Sequence, residues 1–169
     1  MNKEDLNGIL KYEYNRIKDS GILDFGIEIK FKEKEEQKEE KKEEENKKEE
    51  KEKDNKDYTI WEIIMTAPED SEYNGGKYTV IAEFPLDYPM ENPKFTFETE
   101  IYHCNVDEKN NLKVNWLMKG MKMEYILPRL LTLFYLQDPN VDENYEKCKL
   151  YKNNYDKFKE NIKKSIKEQ

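Results

Sequence analysis

Three consecutive residues, His103, Cys104 and Asn105, gather most of the reactive side chains in this chain. His103 is the single histidine, and Cys104 and Cys148 are the two cysteines. A thiolate is a strong nucleophile. A cysteine between an imidazole and an amide donor invites a catalytic reading. Against it, neighbours on an extended chain point to opposite faces, which keeps His103 from the Cys104 thiol and favours a buried structural cysteine. Cys148, among Glu146, Lys147 and Lys149, reads as a partly buried helix residue. One imidazole excludes mechanisms that need two, and most histidine-rich metal sites. Two cysteines exclude a disulfide framework and a four-cysteine zinc site. No cofactor is implied, and the thiols suit a reducing compartment, cytoplasmic or nuclear.

Charge narrows the function classes further. The net charge is −8, with 30 basic against 38 acidic residues. Nucleic acid and anionic membrane are disfavoured as partners, because phosphate contacts need a surplus of clustered Lys and Arg. No apolar run approaches the roughly 18–20 residues of a membrane span. The opening MNKEDLNG is polar, unlike a secretory signal. The charge is also uneven. Residues 32–57 contain only Lys, Glu, Asp, Asn and Gln. Outside that block the composition is that of an ordinary folded domain. The block has no apolar period, so it reads as a low-complexity insertion in a hairpin loop. A single solvated helix and disorder are both open for it. Closure entropy grows slowly with loop length, so the fold tolerates such an insertion.

The elements that must position the reactive residues are legible from periodicity. Leu6, Leu10, Tyr14 and Ile17 form one apolar stripe, which predicts a helix over 4–19. Residues 25–31 alternate, with Phe25, Ile27, Ile29 and Phe31 on one side, and predict a strand. Further strands are expected at 58–67, 77–84 and 94–98. Turn chemistry separates them at 68–76, and three prolines fall within 85–93. Residues 99–123 show no regular pattern. An apolar helix is expected over 125–136, with Pro128 tolerated if Tyr125 lies near its N-cap. Two more helices follow at 143–152 and 155–167, with Tyr151, Phe158, Ile162 and Ile166 as their contacts. Consecutive strands with short turns argue for an antiparallel meander. The expected fold class is α+β: an N-terminal helix, a four-stranded antiparallel meander and three C-terminal helices.

Four segments then resemble one family. SEYNGGKY at 71–78 is similar to a Tyr-x-Gly-Gly turn, and FPLDYPMENPKFTF at 84–97 to a Phe-Pro-x-Asp-Tyr-Pro segment. IYHCNV at 101–106 resembles Ile-Tyr-His-Pro-Asn-Ile, and LQDPNVDENY at 136–145 an Asp-Pro-Asn-Pro-Asp-Asp-Pro-Leu stretch. In this order and spacing they resemble ubiquitin-conjugating enzymes, over nearly the whole chain except 32–57. The resemblance implies a single domain of that fold, which carries ubiquitin or a ubiquitin-like modifier as a thioester on one cysteine.

The resemblance also shows what is altered. The family's acceptor cysteine stands eight residues after the motif asparagine, and that count from Asn105 lands on Lys113. Leu112 and Val114 on either side are not nucleophiles. A lysine that attacked a thioester would form a stable amide and trap the modifier. Asn110 and Asn111 keep the turn form, because asparagine tolerates left-handed backbone. Asn105 matches the family's oxyanion-stabilising amide, but without a thioester its expected role is a structural bond to the following turn. His103 carries over as a packed, hydrogen-bonded residue. Asp142 and Glu143 match an acidic pair beside the family's site, where Glu143 would orient an incoming lysine; a helix N-terminus favours an acid there in any case.

The resemblance implies partner surfaces too. The family's first helix meets the activating enzyme through basic residues; here the matching turn includes Ile9, Lys11 and Tyr12 and is mostly uncharged. Met90 fits the apolar residue that faces ligases. KGMKMEY replaces a Trp-Ser-Pro turn, and Trp116 is displaced from it. The expectation is a ubiquitin-conjugating-enzyme variant without the acceptor cysteine, a non-catalytic cofactor. Its partners would be a modifier and an active conjugating enzyme or a ligase. An active transferase using Cys104 and a peptide-binding adaptor stay open.

Overall fold

The computed structural model describes residues 1–33, 55–142 and 145–168. Helix α1 runs from Lys3 to Asp19, and Asn2 caps it by accepting from the Asp5 N–H at 2.9 Å. It buries Leu6, Leu10 and Ile17 as the stripe predicts, with Tyr14 packed against the core at its edge. It also buries Glu13, which hydropathy alone would place outside.

Four strands follow: β1 Ile27–Glu33, β2 Lys56–Thr66, β3 Lys77–Glu83 and β4 Lys94–Phe97. They form one antiparallel meander in sequence order. Phe25 is not part of the first strand. A single 3-10 turn spans Ile22–Phe25 between the left-handed Gly21 and Gly26, and it leaves the Phe25 ring 74% exposed. The strands also reach further into the charged block than expected. Lys32 pairs with Asp57 and Glu33 with Lys56, so the ladder claims both ends of the block. Its centre, residues 34–54, lies outside the described residues.

The β1–β2 ladder shifts register after Phe31, which pairs with Trp61 while Lys32 pairs with Asp57. Tyr58, Thr59 and Ile60 are therefore extra on β2, a bulge. Helix α1 fills it: Asn7 Oδ1 accepts from the Tyr58 N–H at 2.6 Å, and Lys3 pairs with Asp57 at 2.9 Å. The core lies between the sheet and the helices, on the face carrying Trp61, Ile63, Met65, Tyr78, Val80, Ala82, Phe95 and Phe97.

Helix α2 spans Met123–Thr132 with Lys122 at the N-cap. Tyr125 is thus not the cap, and Pro128 sits past the first turn rather than within it. The chain leaves the helix at Leu133, four residues before the expected end, and Tyr135 and Leu136 are exposed. Helices α3 (Glu146–Asn153) and α4 (Tyr155–Lys167) close the fold, with Cys148, Phe158 and Ile162 buried. Helix α3 starts at Glu146, three residues later than expected, so Asp142 lies before the helix and not at its N-terminus.

Candidate functional site

The segment 101–113 lies between the sheet edge and α3. An isolated bridge of Thr96 in β4 with Asn111 holds it to the sheet, and one of Val106 with Leu112 folds it back on itself. The reversal occurs at Asn110, whose φ of 61° is left-handed, as the asparagine pair predicts. Asp107 organises this turn. Its carboxylate accepts from the backbone N–H groups of Lys109 and Asn111 at 2.9 and 2.8 Å. Against the upward push of burial, these bonds and the nearby Lys113 charge hold the carboxyl below its ordinary pKa.

His103 is fully buried and both ring nitrogens are engaged. Nδ1 accepts from the Asn105 N–H at 2.9 Å, so the ring proton belongs on Nε2, which donates to the Leu133 carbonyl at 2.9 Å. Burial lowers its pKa to about 4, so the ring is neutral near pH 7. A neutral ring with no free nitrogen is a clamp between this segment and the end of α2.

Asn105 is equally committed, but to a more distant partner than the following turn. Its Nδ2 donates to the Asp138 carbonyl at 3.0 Å, and its Oδ1 accepts from the Asp138 N–H at 2.9 Å. This reciprocal pair joins two segments 33 residues apart. Gln137, next to it, does similar work. Its Oε1 accepts from the Cys104 N–H, and its Nε2 donates to the Tyr73 hydroxyl, both at 2.8 Å. That hydroxyl in turn donates to the Tyr102 carbonyl at 2.8 Å. From the sequence, Gln137 has no role beyond its place in the 136–145 motif. The only trace of Tyr73 was its place in the Gly-Gly turn.

Cys104 is 3% exposed. Its Sγ faces the Lys147 carbonyl at 3.6 Å rather than His103. Burial, then the neighbouring Cys148, push the thiol well above its ordinary pKa. A thiol so placed holds little thiolate, the form that attacks. Cys148 is fully buried, more than expected.

Lys113 takes a different position. Its backbone N–H donates to the Asn105 carbonyl at 2.7 Å, which sets residue 113 beside the clamp. Its side chain is 56% exposed and its ammonium lies 3.5 Å from Asp107. The structure thus brings His103, Asn105 and Lys113 together, with Cys104 beneath the surface. Glu143 lies outside the described residues. Among the described residues no cluster of His, Cys, Asp and Glu could hold a metal.

A family profile described as ubiquitin-conjugating enzyme matches residues 31–166. The chain belongs to the ubiquitin-conjugating enzyme family. A probable ubiquitin-conjugating enzyme E2 31 from Arabidopsis thaliana is 35% identical over 104 residues, 58% of this chain and 66% of that protein. A probable ubiquitin-conjugating enzyme E2 7 from Caenorhabditis elegans is 30% identical over 128 residues, 64% of this chain and 77% of that protein. Ubiquitin-conjugating enzyme E2 14 from Schizosaccharomyces pombe is 38% identical over 88 residues, 49% of this chain and 56% of that protein. The chain thus spans just under two thirds of the Arabidopsis relative and little over half of the fission-yeast one. In this family member three of the four matched motifs converge. The Gly-Gly turn supplies Tyr73, the His-Cys-Asn segment supplies the clamp, and the Gln-Asp-Pro-Asn stretch receives it.

The surface residues expected to meet partners lie at the other end of α2. Glu13 Oε2 accepts from the Tyr88 hydroxyl at 2.8 Å, and the Gly120 N–H donates to the Pro89 carbonyl at 2.7 Å. These bonds tie α1, the Tyr88–Met90 loop and the segment before α2 together. Met90, Tyr12 and Ile9 are exposed, and so is Met118.

Proposed function

We propose that this chain is a ubiquitin-conjugating-enzyme variant without an acceptor thiol, acting as a non-catalytic cofactor in conjugation of ubiquitin or a ubiquitin-like protein. Its working place is the cytoplasm or nucleus. The reading rests on the residue at 113. An exposed lysine, hydrogen-bonded through its backbone to Asn105 and paired with Asp107, stands where the family's cysteine would. Two further facts support it. Cys104 is buried with a suppressed thiolate, and the Asn105 amide is bound to Asp138. The cofactor's partners are the modifier and an active conjugating enzyme or a ligase, met through the exposed Met90, Ile9 and Tyr12.

The test is a conjugation reaction with purified activating enzyme, ATP and ubiquitin. We expect no adduct that mercaptoethanol cleaves, and faster chain formation when the protein is added to an active conjugating enzyme. A reducible adduct lost in Cys104→Ser would replace this reading with an active transferase. If neither adduct nor acceleration appears, the chain is a peptide-binding adaptor instead.

A further inference from the structure

The fold brings together two thiols for which the proposed function has no use. Cys104 and Cys148 are 44 residues apart in sequence, and both are free and buried. The Cys148 thiol donates to the Cys104 carbonyl at 3.4 Å, and the Cys104 thiol to the carbonyl of Lys147, the residue before Cys148, at 3.6 Å. Reciprocal contacts of this kind put the side chains within reach of each other, the first requirement for a disulfide.

We propose that Cys104 and Cys148 are a dithiol that a peroxide converts to an intramolecular disulfide, stapling the His103–Asn105 segment to α3. Burial keeps both thiols protonated at rest, so the reaction proceeds through local opening. Helix α3 is suited to open. It is eight residues long, and its N-cap residue Tyr145 makes no side-chain cap bond. One sulfur attacks the peroxide O–O bond, giving a sulfenic acid and one water. The second sulfur then displaces the hydroxyl as another water, and the S–S bond forms. The sulfurs give up two electrons and two protons, and the peroxide is reduced to two waters.

The full chain, treated with hydrogen peroxide and then unfolded and alkylated, is expected to be about 2 Da lighter before alkylation. It is expected to take up no alkyl groups, and to recover both sites after dithiothreitol. A non-reducing peptide map of the unmutated protein is expected to link the Cys104 and Cys148 peptides. Cys104→Ser and Cys148→Ser are each expected to abolish the link. Two alkylatable thiols after peroxide, oxygen addition without a cross-link, or a link between two chains would each overturn the proposal. The peptide map needs no variant, so a misfolded mutant does not blunt the test.

Discussion

With both ring nitrogens bound to backbone, His103 ties stability to pH. Burial places its pKa near 4 in the folded chain, below the ordinary 6.5. The unfolded chain therefore takes up a proton first as pH falls. The stability this residue contributes is present above pH 6.5 and is lost as pH drops towards 4. The shift corresponds to about 3 kcal/mol at most. Urea unfolding across pH 7 to 4 should show that loss, and His103→Gln should flatten this part of the profile. The substitution should also cost about 1–3 kcal/mol at pH 7, because one of two buried backbone partners goes unmet. Residue 113 lies at the surface of the same segment. We expect Lys113→Cys to alter stability by less than about 0.5 kcal/mol, because the side chain is exposed and its ion pair lies at the surface. A larger loss in thermal denaturation would mean that the lysine props the turn.

At the scale of elements, α2 carries one feature that costs stability and a cap supplied by α1. Pro128 lies inside the helix and is exposed. It has no N–H for the Glu124 carbonyl, and its ring crowds that oxygen. Its exposed side chain adds little packing in return. Pro128→Ala is expected to stabilise the protein by about 1–3 kcal/mol, read as a higher denaturant midpoint. The helix start is capped from another element. The Met123 N–H donates to Glu13 Oε2 at 3.1 Å, and no side chain of the N-cap residue serves. Burial raises the Glu13 carboxyl above its ordinary pKa, although the Tyr88 and Met123 bonds oppose the rise. The folded state thus favours protonated Glu13, a contribution present below the ordinary carboxyl pKa and lost as pH rises through the folded value. Glu13→Gln keeps an acceptor and removes the buried charge, so it should match or exceed the parent at pH 7. Glu13→Ala should lose about 1–3 kcal/mol by leaving the Tyr88 hydroxyl without its acceptor.

For the whole molecule, the informative feature is where the charged block joins the sheet. Glu33 and Lys56 face each other across β1 and β2, so the block begins and ends at adjacent strands. Replacing 34–55 with a four-residue turn should preserve the sheet and reduce the closure entropy by about 1–2 kcal/mol. A thermal midpoint at or above the parent's is expected. A fall of several degrees would assign the block a structural role. The rest of the assembly depends on a meander of neighbouring strands with α1 laid across it, which explains why sequence order and spatial order coincide.

Local signals determined much of this protein. Alternation and helical period located α1, the four strands and the last two helices, because the burial of each needs only its own pattern. The asparagine pair marked the turn at Asn110. Elsewhere the tertiary structure decided. Phe25 continued an alternating pattern but lies outside the core, because Gly21 and Gly26 bend the chain before the strand begins. The Pro128 position and the end of α2 depended on Glu13 and Leu133 rather than on nearby residues. His103, Asn105 and Cys104 could each be named in advance. Their partners Leu133, Asp138, Gln137 and Lys147 lie 30 to 43 residues away. A hydrogen bond over such a separation leaves no periodicity in the chain, so only folding shows which polar groups are spent on holding segments together and which stay free for chemistry.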